Sequence, residues 1–439
     1  MKKSISNWSN YPISESEVVH WRGINTNLPS KDWIARGMGR CYGDASLAEN
    51  IISTASHNHL INFDEKEGLL TCQAGTTLKE ILDVFVPKGW FLPVTPGTKY
   101  ISVGGALASD VHGKNHHVEG CFGDHVVNAE LVLPNGEKIN CSAKENAEIF
   151  EATRGGMGLT GLIDSVTFRL KKIETSFIKQ KQVKASNLSE IFALFEKHKD
   201  ATYSMAWIDC LKGGKGFGRS IMMAGEHATL EELNAKQKRS PLVGNPDKSI
   251  TMPINLPSFA LNKLSIKAFN WLYYTKNFRK EIENVVHYDG FFYPLDSILH
   301  WNRMYGKNGF LQYQFVLPLE KSEAGLIEIL SKIREKGWGS FLAVLKLFGK
   351  QDNLISFPME GYTLALDFPI KKGLFDFLDE LDELVLQYDG RIYLSKDARM
   401  KSEMFNKSYP KIDKFKEIIS KINPDSKVNS ELSNRLSIT

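Results

Sequence analysis

Two glycine-rich stretches near the start of the chain have the composition of phosphate-binding loops. The first reads RGMGRCYGD at residues 36–44. The second begins at Pro96-Gly97 and continues through SVGG at 102–105 to SDVHGKNHH at 109–117. Because glycine has no Cβ, backbone N–H groups in such loops can approach phosphate oxygens closely. Two loops, rather than one loop that opens a helix, favour a long diphosphate-bridged cofactor between two small subdomains, and we expect FAD.

A third glycine motif, GMGLTG at 156–161, matches the dinucleotide pattern G-x-G-x-x-G. A nicotinamide-binding fold needs a strand before this motif and a helix after it, so that the pyrophosphate meets the helix N-terminus. Here residues 147–154 have a helical pattern and 163–170 the pattern of a strand, which is the reverse order. We therefore expect this turn to admit flavin or ribityl atoms rather than a nicotinamide cofactor.

Several histidines follow the second glycine stretch and raise the alternative of a metal site: His112, His116, His117 and His125. Two histidines four residues apart can chelate a metal when they share one helical face. A glycine and an asparagine lie between the first two, so a regular helix is not expected there. We expect no metal, and histidines hydrogen-bonded in turns, one of them facing the active site.

The elements that position these loops alternate between short strands and helices. Thr77-Leu78-Lys79-Glu80 is a capping box and predicts a helix that ends near Pro87 and Gly89. Its predicted buried face consists of Leu78, Ile81, Leu82 and Phe85. Residues 128–133 and 137–141 predict a hairpin whose Asn135-Gly136 turn has positive φ at both positions. Residues 163–170 alternate as a half-buried strand does.

After about residue 175 the glycine loops give way to aromatic-rich strands at 309–317, 361–369 and 390–394, with helices at 322–336 and 374–387. This pattern predicts a mixed sheet backed by helices. We therefore expect an α+β protein. Its domains would be a FAD-binding domain at 1–175, a substrate-binding cap domain at 176–390, and a C-terminal segment at 391–439 that returns to the FAD-binding domain.

Size and composition exclude several classes of protein. The 439 residues suit two domains of roughly 200 residues each. A net charge of +4 is too small to predict a nucleic-acid partner. Five cysteines without a C-x-x-C pair predict reduced thiols in a cytoplasmic protein. We expect neither a signal peptide nor a transmembrane helix, since no apolar run approaches the roughly 20 residues that span a bilayer.

One segment of the second half has two interpretations. Residues 236–258 hold four prolines and predict a mobile loop. The following residues, 259–280, mix large apolar and aromatic side chains with five Lys or Arg. Such a helix could rest on an anionic membrane surface. An ordinary amphipathic helix packed on the core explains the same pattern equally well.

Taken together, the longer motifs resemble a known family. Residues 37–44, 93–117, 122–125 and 155–161 resemble the PCMH-type FAD-binding domain of the vanillyl-alcohol-oxidase class. The resemblance continues through WNRMYG at 301–306, FLQYQF at 310–315, KLFG at 346–349, DFP at 367–369 and YLSKDAR at 393–399. Within the class it is closest to the decaprenylphosphoryl-β-D-ribose 2-oxidase family, flavoproteins whose epimerisation supplies arabinose donors for cell wall biosynthesis.

The resemblance implies roles for individual residues. Those that would contact FAD are Gly37, Met38, Gly39, Arg40, Cys41, Tyr42, Gly43, Gly97, Ser102, Val103, Gly104, Gly105, Ser109, His112, Ile163 and Tyr393. Those that would line the substrate pocket are Lys114, Gln314, Lys346, Thr363 and Ala365. Lys396 would stabilise charge beside the reactive ring, and His112 or Tyr42 would relay the proton.

Some positions depart from the pattern of the class. Members that attach flavin covalently use a histidine in the first loop or a cysteine before the Val-Gly-Gly turn. This chain has Arg40-Cys41 in the first loop and no cysteine at 98–102, so we expect non-covalent FAD. Ala365 and Thr363 replace the cysteine that nitroaromatic inhibitors modify and a nearby asparagine. The adduct is therefore not expected, and the identity of the sugar and lipid stays open.

The implied activity is oxidation of the C2 hydroxyl of a polyprenyl-phosphate-linked pentose to a 2-keto sugar. A nicotinamide-dependent short-chain reductase would be the partner that completes the epimerisation, in the cytoplasm or at the inner membrane surface. Two alternatives remain open. One is an FAD-dependent oxidase or dehydrogenase of free alditols, sugars or aldonolactones, and the other is a non-catalytic lipid-carrier binding protein.

Overall fold

The computed structural model describes residues 2–23, 25–244, 249–257, 259–276 and 278–439. Part of the loop predicted at 236–258, residues 245–248 and 258, lies outside this description. The strands in chain order are β1 Lys3–Ser6, β2 Ile13–His20, β3 Trp33–Arg36, β4 Asn50–Ser53, β5 Leu60–Asp64, β6 Leu69–Gln73, β7 Trp90–Phe91, β8 Val126–Val132, β9 Lys138–Cys141, β10 Leu162–Arg169, β11 Lys171–Lys172, β12 Phe177–Ala185, β13 Tyr203–Ile208, β14 Ser220–His227, β15 Ile250–Thr251, β16 Glu281–His287, β17 Ile298–Leu299, β18 Phe310–Pro318, β19 Val344–Phe348, β20 Gly361–Pro369 and β21 Arg391–Ile392.

The helices are α1 Leu78–Phe85, α2 Val103–Ala108, α3 His116–Glu119, α4 Ala147–Thr153, α5 Leu188–Lys197, α6 Lys263–Thr275, α7 Tyr288–Phe292, α8 Leu319–Lys336, α9 Leu374–Gln387, α10 Ser402–Ser408, α11 Ile412–Ile422 and α12 Glu431–Leu436. Most sheet pairings are antiparallel, and helices and strands are both numerous, which confirms the predicted α+β class. Within the described residues, no helix is both long enough and apolar enough to cross a membrane.

Two sheets in the N-terminal part carry the glycine loops. The first has the strand order β1-β2-β4-β3, with β2 and β3 both parallel to β4. The second has the order β5-β6-β10-β8-β9 and is antiparallel throughout. The first glycine loop leaves the end of β3, and the second glycine stretch enters α2. Each loop is therefore attached directly to a strand or a helix of this region.

The predicted capping box at α1 is confirmed. The Thr77 hydroxyl accepts the Glu80 N–H, and the Glu80 carboxylate accepts the Thr77 N–H at 2.7 Å. The four predicted apolar residues of α1 are buried, and Gly89, with φ of 80°, ends the short 3₁₀ turn that follows. Local hydrogen bonds and one apolar face thus suffice to define this helix.

The hairpin of β8 and β9 is confirmed, but its turn differs from the prediction. Only Gly136 has a positive φ, of 89°, because the connection has more than two residues and needs a left-handed residue only at its last position. Strand β10 is also more buried than its alternating pattern predicts, since it lies in the centre of its sheet. The order of α4, the GMGLTG turn and β10 confirms that this motif is not a Rossmann fingerprint.

The second half of the chain builds an eight-stranded sheet with the order β16-β12-β14-β13-β19-β20-β18-β21. The sheet predicted as mixed is antiparallel at every described pairing. The reason is that β20 lies between β18 and β19, the two strands that α8 connects, so these parallel strands are not neighbours. Helices α8 and α9 cover one face of the sheet.

The C-terminal segment connects the two halves. β21 pairs with β18 of the large sheet, whereas later residues reach the N-terminal strands. The Asn429 N–H donates to the Trp33 carbonyl at 3.0 Å, and the Glu431 N–H donates to the Leu47 carbonyl at 2.8 Å. The boundaries at 175 and 390 stay a prediction, and these contacts support a final segment that spans both parts.

Candidate active site

One face of three neighbouring strands carries four of the predicted substrate residues. In the register of the sheet, Gln314 on β18 lies opposite Ala365 on β20, and Thr363 on β20 lies opposite Lys346 on β19. Opposed residues in an antiparallel pair, and residues two apart on one strand, point to the same side. Tyr313, the residue before Gln314 on β18, points to the opposite side of the sheet and donates to Asp382 of α9 at 3.0 Å. The four side chains therefore share the face that is not covered by α9.

His112 meets this face from the second glycine stretch. The Gln314 amide donates to His112 Nε2 at 3.1 Å and to the Thr363 hydroxyl at 3.2 Å. Burial, with a contribution from nearby lysines, lowers the pKa of His112 well below its ordinary value, so the imidazole is neutral. Since Nε2 accepts from Gln314, the hydrogen lies on Nδ1. That nitrogen is buried and has no partner in the described part of the chain.

Lys396 lies beside Tyr42 of the first glycine loop, with its Nζ 3.7 Å from the centre of the ring. Burial lowers the pKa of Lys396 to about 7, with Asp367 acting against the shift and Lys346 adding to it. Near neutral pH a large fraction of Lys396 is therefore an uncharged amine that can accept a proton. Burial raises the pKa of Tyr42, so its phenol remains a donor. Of the three predicted catalytic residues, Lys396 is therefore suited to accept a proton near neutral pH, because part of it is deprotonated there.

Two further lysines place positive charge in the site. Burial lowers the pKa of Lys346 to about 8. Burial and the nearby Lys346 lower the pKa of Lys114 to about 7. Lys114 donates to the carbonyls of Phe291 and Phe292 at 2.6 and 3.3 Å, whereas Lys346 makes no ion pair with any described carboxylate. The lysines repel one another, and a bound anion would relieve this repulsion.

Two site residues, Asp367 and Gln312, were not predicted from the sequence. They lie opposite each other on β20 and β18, and the Gln312 amide donates to Asp367 at 2.6 Å. Tyr305 donates to the other carboxylate oxygen at 3.2 Å, and burial raises the pKa of Asp367 to about 6. Gln312 and Gln314 alternate with aromatic residues on β18, so their spacing was the signal that could have revealed this polar face.

The two glycine loops and the turn that carries Lys396 pack against one another. A Cβ on Gly43 would lie 1.6 Å from the Asp397 carbonyl oxygen, and the Tyr42 N–H donates to the Ser395 carbonyl at 2.9 Å. A Cβ on Gly37 would lie 2.1 Å from the Ser102 hydroxyl. The backbone contact requires glycine at Gly43, whereas at Gly37 the Ser102 hydroxyl would have to move to admit a side chain. The structure brings together segments that lie more than 350 residues apart in sequence.

The predicted cofactor-binding residues differ in whether their backbone N–H groups are free to donate to FAD. The N–H groups of residues 38–41 (Met38, Gly39, Arg40 and Cys41) meet no acceptor among the described residues, and the space around Gly97 is open. In contrast, the N–H groups of Val103 and Gly104 already donate, each at 2.8 Å, to the carbonyls of Thr76 and Ala74. The Gly105 N–H donates to Ser102 at 3.3 Å. The first loop thus supplies free donors, whereas α2 shapes the site without free amides at these positions.

Tyr393 ties the second glycine stretch to the large sheet. Its hydroxyl donates to the Ser109 carbonyl at 2.9 Å, and its ring stacks on Phe357 at 4.6 Å between centres. Its N–H also donates to the Gln314 carbonyl. Ile163 is buried on β10 of the N-terminal sheet. Tyr393 and Ser109 therefore lie next to His112. Ile163 takes no part in these contacts.

The other histidines have structural partners. His116 accepts from the Gly349 N–H at 3.1 Å and contacts Gln351 at 2.7 Å. His117 donates to the Ala201 carbonyl at 2.8 Å, and His125 donates to the Glu119 carbonyl at 2.9 Å. In the described part of the chain, no group of three or more His, Cys, Asp or Glu could hold a metal ion.

The residues present fit FAD. Free amides at 38–41 suit a diphosphate, and the unpartnered His112 Nδ1–H and the Lys396 side chain suit the polar edge of a flavin ring. Cys41 does not offer a reactive thiolate, because burial raises the pKa of its thiol, which lies 3.3 Å from the Ser46 hydroxyl. This supports the prediction of non-covalent FAD.

Fold and site together define an FAD-dependent oxidoreductase, and comparison with known proteins agrees. Residues 26–142 match the FAD binding domain family. Decaprenylphosphoryl-beta-D-ribose oxidase of Mycolicibacterium smegmatis is 37% identical over 415 residues, which cover 92% of this chain and 89% of the relative. An uncharacterized protein of Streptomyces coelicolor is 30% identical over 371 residues, 82% of this chain and 100% of that protein. L-gulonolactone oxidase 5 of Arabidopsis thaliana is 26% identical over 172 residues, 37% of this chain and 29% of that protein.

The chain belongs to the decaprenylphosphoryl-β-D-ribose oxidase family, as its motifs predicted. Its cofactor is FAD, and it is an FAD-dependent oxidoreductase. The alternative of a non-catalytic carrier-binding protein is therefore not retained.

Proposed function

We propose that this enzyme oxidises the C2 hydroxyl of a pentose that is joined through phosphate to a polyprenyl carrier. The product is a 2-keto sugar, the first half of an epimerisation. The observation that carries the proposal is the group of three half-buried lysines, Lys114, Lys346 and Lys396, beside neutral His112. The name of the Mycolicibacterium relative supports the same class of substrate.

The oxidation removes a hydride from the carbinol carbon and a proton from its hydroxyl, so that the C–O bond becomes C=O. Bound FAD supplies the acceptor for the hydride. Lys396, as the neutral amine, accepts the hydroxyl proton. Asp367 then stabilises the ammonium that forms, since this carboxylate already acts to raise the pKa of Lys396. Gln312 and Tyr305 hold the carboxylate in place through hydrogen bonds.

The phosphate of the substrate would pair with Lys346 and Lys114. A charged phosphate compensates half-buried cations, whereas a neutral alditol or lactone leaves them without a counter-charge at a cost in binding free energy. This contrast favours the phosphorylated substrate over the alternative of free polyols. The similarity to the lactone oxidase covers only 37% of this chain.

Partner and location follow from the product and the substrate. A 2-keto sugar must be reduced to complete an epimerisation, and we propose a nicotinamide-dependent short-chain reductase as the partner. All five cysteines are free thiols, which supports a reducing cytoplasmic compartment. A polyprenyl tail resides in a bilayer, so the proposal includes contact with the inner membrane surface.

The test is anaerobic reduction of the flavin by a polyprenyl-phosphoryl pentose, a free alditol and an aldonolactone in parallel. We expect bleaching by the phosphorylated substrate at concentrations at least tenfold lower, roughly the worth of one charge-assisted contact. Lys346→Gln should raise the concentration needed for the phosphorylated sugar and leave the response to the free polyol unchanged. Exposed Lys350→Gln serves as the matched control. Equal reduction by all three compounds would refute the assignment of the substrate.

A further inference from the structure

Helix α6 turns an apolar stripe toward solvent. Leu264, Ala268, Trp271 and Leu272 recur at the i, i+4, i+7 and i+8 spacing of one helical face. Leu264 is 78% exposed, Trp271 56% and Leu272 58%. A helix packed on the core by its apolar face would bury these side chains. The helix therefore packs on the core through Ile266, whereas this apolar stripe faces away from the core.

The opposite face holds α6 to the protein through polar contacts. Its buried residues are Ile266 and Asn270, and the Asn270 amide donates to Asp209 at 2.9 Å. Arg219 neutralises the same carboxylate through contacts at 2.8 and 2.9 Å. Because these contacts fix the rotation of the helix about its axis, the outward direction of Leu264, Trp271 and Leu272 is built into the structure.

The charge of the segment identifies the surface that it fits. Residues 259–280 contain five Lys or Arg and no Asp or Glu. By their positions on the helix, Lys267 and Lys276 flank the apolar stripe on its two sides. Phe259 and Phe278, just outside the helix, are 75% and 98% exposed. Apolar and aromatic side chains bordered by cations match the boundary between acyl chains and anionic headgroups.

The segment also lies close to the site through a series of aromatic contacts. Phe269 of α6 packs edge-on against Phe341 at 5.4 Å, and Phe341 stacks with Tyr305 at 5.8 Å. Tyr305 in turn donates to Asp367 of the site. Only two aromatic side chains thus separate Phe269 on the exposed helix from the carboxylate that faces Lys396.

We propose that the outward face of α6, with Phe259 and Phe278, docks on an anionic lipid bilayer. Trp271, Leu272 and Leu264 enter the headgroup boundary, and Lys267 and Lys276 pair with lipid phosphates. This inference rests on the proposed function in one respect: a polyprenyl-linked substrate is what would bring the enzyme to a bilayer. Vesicle binding needs no turnover, so the two proposals fail separately.

The test is cosedimentation of the FAD-loaded full chain with phosphatidylcholine vesicles and with vesicles that also contain phosphatidylglycerol. We expect binding to the anionic vesicles only, and a loss of binding at high salt. Trp271→Ser/Leu272→Ser should weaken binding at least about tenfold through lost apolar burial. Lys267→Gln/Lys276→Gln should weaken it about 25-fold, from about fivefold for each charge.

Matched controls lie on the N-terminal half. Lys66→Gln/Lys144→Gln removes two exposed charges, and Ile61→Ser removes a side chain that is 55% exposed. Both should bind vesicles as the wild type does, and all variants should reduce their flavin normally with a water-soluble short-chain phosphoryl pentose. The proposal would be overturned if the α6 variants bound anionic vesicles as tightly as the wild type does, or if binding were independent of lipid charge. Concentration-dependent dimers that the Trp271→Ser/Leu272→Ser change abolishes, without vesicle binding, would overturn it in favour of a second copy of the chain.

Discussion

Replacement of Arg435 tests how helix α12 holds the two sides of the site together. Arg435 contacts both oxygens of Asp44 at 2.8 and 2.9 Å and lies 2.8 Å from Asp397. Asp44 is the last residue of the first glycine loop, and Asp397 directly follows Lys396. The two carboxylate side chains are only 5% and 3% exposed. One guanidinium therefore neutralises two buried charges, one on each side of the site.

The expected loss of stability follows from the burial of these two carboxylates. Removing one partner of a buried ion pair costs about 3–5 kcal/mol, because the remaining charge stays buried without compensation. Arg435→Ala should therefore lower the free energy of unfolding by about 3–5 kcal/mol. It should also raise the dissociation constant of FAD, since the first loop loses its anchor. Arg435→Lys should have a free energy of unfolding between those of the wild type and Arg435→Ala, because an ammonium cannot donate to both carboxylates in the fork geometry of arginine.

The assay is urea unfolding followed by tryptophan and flavin fluorescence, with FAD affinity measured by equilibrium dialysis. Lys427→Ala is the matched control, because its Asp425 partner is 71% exposed and such surface pairs contribute about 1 kcal/mol or less. The reasoning would be refuted if Arg435→Ala unfolded at the same urea concentration as the control and held FAD equally well.

Four further predictions concern pH and packing. Because the pKa of Lys346 is lowered to about 8 and that of Lys114 to about 7, both lose charge as pH rises, so stopped-flow titration should show substrate phosphate binding weakening above about pH 7–8. The rate of flavin reduction at saturating substrate should instead rise through about pH 7 as Lys396 becomes neutral, and a flat profile would contradict its role as base. Burial alone would raise the pKa of Asp164, but contacts with His57, Lys138 and Trp21 outweigh it and hold the pKa below its usual range. Its stabilisation is therefore present above the unfolded pKa of about 3.9 and is lost as pH falls below it. Asp164→Asn should be less stable at neutral pH yet lose less stability on acidification in thermal melts, and parallel curves would contradict this. Gly43→Ala should reduce FAD retention in gel filtration, because the new methyl would overlap the Asp397 carbonyl, whereas Gly136→Ala, where a Cβ meets no atom, should retain FAD despite its strained φ.

The parts of the fold that were predictable from the sequence depend on local interactions. The α1 capping box and the reversed order around GMGLTG each depend on residues close in the chain. The turn at Asn135 was predicted incorrectly, because the length of the connection, rather than the Asn-Gly pair alone, decides which residue is left-handed.

The candidate site depends on pairing over long distances in the chain. The family resemblance implied Lys346, Gln314 and Thr363 as substrate residues, but only the register of β19, β20 and β18 shows that they share a face. The same register adds Gln312 and Asp367, which were not predicted. The sequence of α6 permitted two interpretations, and the orientation of the helix depends on Asp209 and Arg219, which lie more than 50 residues away.

The central claim is that FAD lies beside Lys396 and that this lysine takes the substrate proton. Its most direct test is the anaerobic flavin spectrum of the wild type and of Lys396→Met after addition of a polyprenyl-phosphoryl pentose. We predict that both proteins show the spectrum of bound oxidised flavin and that only the wild type bleaches. Bleaching of Lys396→Met at the wild-type rate, or a wild-type protein that takes up no FAD, would contradict the account.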